Sequence, residues 1–173
     1  MPPEPTPSQL PPTPPGYRSG FVGIVGRPNV GKSTMLNTWL GRKVAITSPK
    51  PQTTRGRILG VLTTPEAQVV FLDSPGWHQP KDPLGRYMLA AAKQVAEEAD
   101  VLLVVIDATS KLREEDEWVF QHAQGARGKR LLAINKMDAV KKMVALPLIQ
   151  QISERGLFEE IVPVSAATGE NMD

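Results

Sequence analysis

The stretch Gly26-Arg27-Pro28-Asn29-Val30-Gly31-Lys32-Ser33, followed by Thr34, sets two glycines five positions apart and then a lysine and a hydroxyl. It comes after the apolar run Phe21 to Val25 and before a helix-compatible stretch, so it reads as a strand-to-helix turn. Glycine at both ends lets the backbone curl until successive N–H groups face the α- and β-phosphates of a nucleotide. The start of the helix adds its positive end. In this arrangement Lys32 reaches the β- and γ-phosphates and Ser33 ligates Mg²⁺. Phosphate binding follows from the spacing, but the identity of the base does not.

A second candidate is VVFLDSPG, residues 69–76. Asp73 ends an apolar run, where a carboxylate can hold Mg²⁺ directly or through water. Gly76 can offer its N–H to a γ-phosphate and let the following loop move. Alone, an Asp and a Gly at a strand end are commonplace; beside the glycine loop they gain meaning.

The third, LLAINKMD at 131–138, addresses the base. Guanine presents two adjacent donors, N1–H and N2–H₂, where adenine has an acceptor and no amino group. The Asp138 carboxylate can accept from both guanine donors and would oppose adenine. Asn135 can brace the neighbouring loop, and the stem of Lys136 can cover the base. In VPVSAATG, Ser165, Ala166 and Ala167 are small enough to let backbone N–H groups approach guanine O6. Guanine is the expected base.

The intervening elements must bring these four segments to one edge. Short β-branched runs alternate with helix-compatible stretches, which predicts a layered α/β domain. Strands are expected near 21–25, 57–63, 68–72, 101–106, 130–134 and 161–164, and helices over 32–40, 84–99, 114–124 and 140–154. VLLVVI and RLLAI are apolar almost throughout, as in strands covered on both faces. TTPEAQ at 63–68 reads as a hairpin turn, which makes the sheet six-stranded and mostly parallel with one antiparallel edge strand. Leu84, Met88, Ala91, Ala92, Val95 and Ala99 form a helical stripe expected in the core. After the last strand come only SAATGENMD, so the helix that would close one sheet face is read as missing.

With 173 residues, one domain with a substantial core is expected. The first twenty residues carry eight prolines and little to bury, and read as an extended tail with a docking peptide as the functional alternative. Without cysteine there are no disulfides and no thiolate chemistry; a reducing, cytoplasmic location is the expectation. No run approaches a membrane span. The net charge of +2 excludes little, but residues 41–60 hold Arg42, Lys43, Lys50, Arg55 and Arg57 without an acid. Such a segment attracts RNA phosphates, or is an ordinary solvated loop.

Taken together, GRPNVGKS, ITSPKPQTTRGRILGV, DSPGWHQPKDPLG, NKMD and VSAATGEN resemble the Era family of P-loop GTPases, across residues 20–173. Ile46 to Val61 and the Trp77-His78 pair after Gly76 carry most of that specificity. Ser74 stands where the family usually has threonine. The resemblance implies Mg²⁺-dependent hydrolysis of GTP and a switch in small ribosomal subunit assembly and 16S rRNA processing. It places the Mg²⁺-sensing threonine at Thr54, with Thr53 the rival on chemistry alone. Catalysis would rest on Lys32, Thr54, Gly76 and Asn29, and Mg²⁺ on Ser33, Thr54 and Asp73. Asn29 would help hold K⁺ beside the phosphates, or else simply tie the loop together.

Trp77 occupies the position where many small GTPases carry a water-orienting glutamine, so a slow intrinsic rate is expected, and His78 is a weaker candidate base. A C-terminal RNA-binding KH domain belongs to the family, but its G-x-x-G signature is absent from these residues. RNA binding by this fragment is therefore expected to be weak or absent, with 16S rRNA bound through the parent protein. Peripheral membrane association is attributed to the family as well. The alternative reading is a GTP-gated module of a related GTPase serving tRNA modification or another protein partner.

Overall fold

A computed structural model describes residues 14–41, 58–73, 77, 80 and 83–173. Its elements are β1 (Arg18–Val25), α1 (Lys32–Leu40), β2 (Ile58–Thr63), β3 (Ala67–Asp73), α2 (Pro83–Glu98), β4 (Val101–Asp107), α3 (Glu114–Ala123), β5 (Lys129–Asn135), α4 (Lys142–Ser153) and β6 (Glu160–Pro163). They form one six-stranded sheet in the order β2-β3-β1-β4-β5-β6. Every neighbouring pair is parallel except β2 with β3, which are joined by the expected hairpin. Thr64 closes that turn by donating its N–H to the Ala67 carbonyl at 2.8 Å.

Period-2 alternation sorts the strand side chains between two apolar layers. Ile24, Phe71, Leu103, Val105, Ala133 and Val164 pack against Met35 and Leu36 of α1. Val25, Leu102, Val104, Ile106, Leu132 and Ile134 face α2, α3 and α4 through residues such as Ala96, Phe120 and Ile152. Both faces of β4 are covered, which accounts for its unbroken apolar run. Each large aliphatic side chain buried here contributes about 1.5–3 kcal/mol relative to exposure.

Most element ends fall within two residues of expectation, with a larger difference in β1 and a different buried face in α2. β1 starts at Arg18 rather than residue 21, because Arg18, Ser19 and Gly20 pair in register with Ala67, Gln68 and Val69. Along α2 and just past its end the buried residues include Gly85, Ala92, Val95, Ala96 and Ala99, Leu84 is 43% exposed, and the Met88 side chain lies outside the described residues. Helical rotation explains this: Gly85 lies seven residues before Ala92, on the same face, and Leu84 is turned about 100° away from it.

The strand order reverses direction at β1, since the chain goes outward to β3 on one side and to β4 on the other. That places a crevice at the carboxyl ends of β1, β4 and β5. Asp107 and Asn135, the last residues of β4 and β5, sit opposite one another there. Asp73 ends β3 in register with Ile24.

Candidate nucleotide-binding site

The loop after β1 is held in conformations that only part of its sequence tolerates unaided. Gly26 has φ 156°, Asn29 φ 66° and Gly31 φ 103°. A Cβ on Gly26 would strike the Val105 carbonyl, and one on Gly31 would strike the Asn135 amide nitrogen. Glycine at these two positions is required by close approach as well as by φ. Gly31 is also the residue that starts α1, and no side chain caps that helix or puts an acid in its first turn. The helix therefore presents its N-terminal N–H groups without an internal anion.

Lys32 is buried at 6% exposure, and its ammonium donates to the carbonyls of Gly26 at 3.1 Å and Arg27 at 3.0 Å. It spans the loop from within, where a phosphate chain would lie. From the other strands, Asn135 donates its amide to the Val30 carbonyl at 2.8 Å and Lys136 its ammonium to the Asn29 carbonyl at 2.9 Å. The Asn135-Lys136 segment and the glycine loop are thus one braced unit.

Asn135 also accepts the N–H of Ala166 at 2.9 Å. Ser165 donates its hydroxyl to one oxygen of Asp138, whose residue is otherwise exposed. The Ser165 N–H goes to the Glu170 carbonyl at 3.0 Å, so two of the three amides expected near guanine O6 are engaged within the protein. Ala167 makes no hydrogen bond among the described residues, which leaves its N–H as the donor open to a ligand.

Asp107 escaped the sequence reading. Its carboxylate accepts from Lys136 at 2.7 Å and from the Thr109 N–H at 2.8 Å. Burial pushes this carboxyl up, but the hydrogen bonds from Lys136 and Thr109, with the Lys136 charge, outweigh it and hold Asp107 below its ordinary value. A depressed carboxylate stabilises the fold above its unfolded-state pKa, about 3.9, and loses that contribution as pH falls through the lower folded value. We expect the urea midpoint of Asp107→Asn to fall less than the wild-type midpoint between about pH 5 and pH 3. Equal falls in the two proteins would remove Asp107 from the acid sensitivity.

Trp77 is 1% exposed, with its N–H on the Gly26 carbonyl at 2.8 Å and its ring edge-on to Trp118 and His122 of α3. Its indole lies in the core, consistent with a residue that does not orient water. The Trp77 Nε1 is the one buried side-chain polar atom without a partner among the described residues. Thr53, Thr54, Ser74, Gly76 and His78 lie outside the described residues, and Asp73 is placed by its backbone alone.

The donor set suits Mg²⁺ held jointly with phosphate. Among the described residues no three His, Asp or Glu side chains gather into a metal site. A hydroxyl, a strand-end carboxylate and substrate oxygens are the ligands that this ion accepts in such settings. Ser33, in the first turn of α1, and Asp73 supply that chemistry. No described helix is long and apolar enough to cross a membrane.

Residues 21–136 match a family model described as 50S ribosome-binding GTPase. GTPase Era of Geobacter metallireducens is 46% identical over 157 residues, covering 91% of this chain and 53% of that protein. GTPase Era of Heliobacterium modesticaldum is 45% identical over 156 residues, covering 90% and 52%. The chain spans about half the length of the curated relatives it matches.

Two solved structures share the fold closely. A crystal structure of Era in complex with MgGDPNP and nucleotides 1506–1542 of 16S ribosomal RNA superposes with TM-score 0.87 at 48% identity, over 91% of this chain and 54% of that one. An Aquifex aeolicus Era variant bound to GDP·AlF₄⁻ gives TM-score 0.85 at 48% identity, over 90% and 54%. The first of these overturns the expectation that RNA binding by this fragment is weak or absent, since so similar a chain is held together with 16S rRNA. That expectation leaned on a missing KH signature, whereas RNA contact through phosphates and shape needs no such motif.

Proposed function

The chain belongs to the Era family of P-loop GTPases, and from that premise we propose that it is a Mg²⁺-dependent switch that hydrolyses GTP to GDP and phosphate in the cytoplasm. We assign it to small ribosomal subunit assembly and 16S rRNA processing. The observation that carries the reading is the bracing of one loop by the other. Asn135 and Lys136 hold the carbonyls of Val30 and Asn29, while Asp138 stays at the surface of the same crevice.

In this reading Gly26 to Thr34 wrap the phosphates, and Lys32 meets the charge that builds on them during transfer. Asp138 reads the two guanine donors, and the Ala167 N–H meets O6. Ser33, Thr54 and Asp73 would hold Mg²⁺, which would neutralise part of the phosphate charge. Gly76 senses the γ-phosphate, and Asn29 orders the loop beside it. With Trp77 buried under α3, no glutamine-like side chain orients the attacking water from that position, so turnover of the isolated chain is slow.

The test is phosphate release by the 173-residue chain from GTP and from ATP, with and without Mg²⁺. Release from GTP alone, abolished by chelation, is the expected result. Equal release from ATP, or release indifferent to chelation, would overturn the assignment.

A further inference from the structure

We propose that Asp116, in the first turn of α3, is a positioning residue for phosphate binding that acts through Arg27. The inference rests on the guanine-nucleotide reading above and adds to it a residue 89 positions from the loop.

Arg27 is the second residue of the glycine loop, yet its side chain leaves the phosphate side. Its Nε donates to both oxygens of Asp116, at 3.0 and 3.2 Å, and its Nη2 donates to the Ser110 hydroxyl at 2.9 Å. Both partners are buried, Arg27 at 8% and Asp116 at 2% exposure. Asp116 is itself fixed, because the Arg113 N–H donates to its second oxygen at 3.0 Å and ties it to the start of α3. The Arg27 residue is therefore gripped twice. Lys32 holds its carbonyl from inside the loop, and Asp116 holds its guanidinium from outside.

Two features make this grip matter for the ligand. Gly26 and Gly31 accept their φ values freely, but Asn29 at φ 66° does so less readily, and side chains hold the carbonyls of Gly26, Arg27, Asn29 and Val30, so the shape of the loop leans on outside contacts. The second is competition for Asp107. The Arg27 Nη2 stands 4.0 Å from the same Asp107 oxygen that Lys136 binds at 2.7 Å. Without Asp116, the buried guanidinium has Asp107 as the remaining carboxylate within 4.0 Å among the described residues. Pairing there draws on the group that orients Lys136, and Lys136 holds Asn29. Loss of one partner of a buried pair is costly for the same reason: the other charge must find a substitute.

The effect should fall mainly on the phosphates, because Arg27 belongs to the glycine loop, whereas Asp138 is held by Ser165 and touches neither Arg27 nor Asp116. We would measure GDP and GMP affinity by competition, with melting temperature, for Asp116→Ala, Asp116→Asn, Arg27→Ala and the double variant R27A/D116A. The expected result is a roughly tenfold loss of GDP affinity in Asp116→Ala, with GMP affinity changed less than about twofold. The double variant should be no worse than Arg27→Ala, as for two residues acting as one.

Equal loss for GDP and GMP, unchanged GDP affinity, or losses that multiply in the double variant would overturn the proposal. Should Asp116→Ala fail to fold, Asp116→Asn decides by the same ratio, since it keeps the shape and loses the charge. Failure of the wild-type chain to bind GDP would instead count against the nucleotide reading itself.

Discussion

Replacing Asp138 by asparagine is expected to cut GDP affinity by a hundredfold or more, about 3 kcal/mol, and to raise affinity for xanthosine diphosphate. The carboxylate accepts from two guanine donors; an asparagine side chain offers one acceptor and turns an NH₂ toward the second donor. Xanthine has a carbonyl oxygen where guanine has its amino group, so the same asparagine meets it with donor against acceptor. Ser165 fixes one Asp138 oxygen and can do the same for an asparagine oxygen, which keeps the replacement in place. The fold should not suffer, since Asp138 is exposed and lies on a single 3₁₀ turn, Met137–Ala139. Competition binding reads the change directly. An unaltered preference for GDP over xanthosine diphosphate would withdraw the base assignment.

Lys32→Ala should remove GDP binding almost entirely, by a hundredfold or more. Two losses combine. The ammonium is the one formal positive charge that the structure places inside the loop, and its loss leaves the phosphates with backbone dipoles alone on that side. The Arg27 carbonyl also loses its Lys32 donor and the Gly26 carbonyl is left with the Trp77 backbone N–H alone, which relaxes the curl that the glycines permit. Calorimetry with GDP, together with a melting curve to show that the variant folds, measures this. A folded Lys32→Ala chain that binds GDP within about threefold of wild type would mean that the phosphates sit elsewhere.

What sequence conveyed here depended on how far apart the interacting residues lie. β4 and β5 announced themselves as apolar runs because both sheet faces are covered, and the β2–β3 hairpin was legible in a six-residue turn. The glycine loop and the NKMD segment were legible too, since their chemistry is carried by residues adjacent in the chain. Their mutual bracing was partly legible: Asn135 was expected to brace the neighbouring loop, and the fold puts its amide on the Val30 carbonyl.

Asp116 gave no such signal. It sits among the acids Glu114, Glu115 and Glu117, and only the fold brings Arg27 to it across 89 positions. Asp107 had a faint one, as a third acid at the end of an apolar strand, but its role depends on Lys136 in the neighbouring strand. Leu84 was misplaced because apolar spacing alone does not fix helix rotation; Gly85 is the buried residue there instead. The amide nearest guanine O6 could not be chosen among Ser165, Ala166 and Ala167 until their competing acceptors were known.

The central claim, that this crevice selects a guanine nucleotide, is tested most directly by equilibrium competition on the 173-residue chain. A fluorescent GDP would be loaded with Mg²⁺ and challenged with unlabelled GDP, ADP and xanthosine diphosphate. Displacement by GDP at concentrations where ADP and xanthosine diphosphate leave the signal unchanged is the predicted result. Displacement by ADP as readily as by GDP would contradict it.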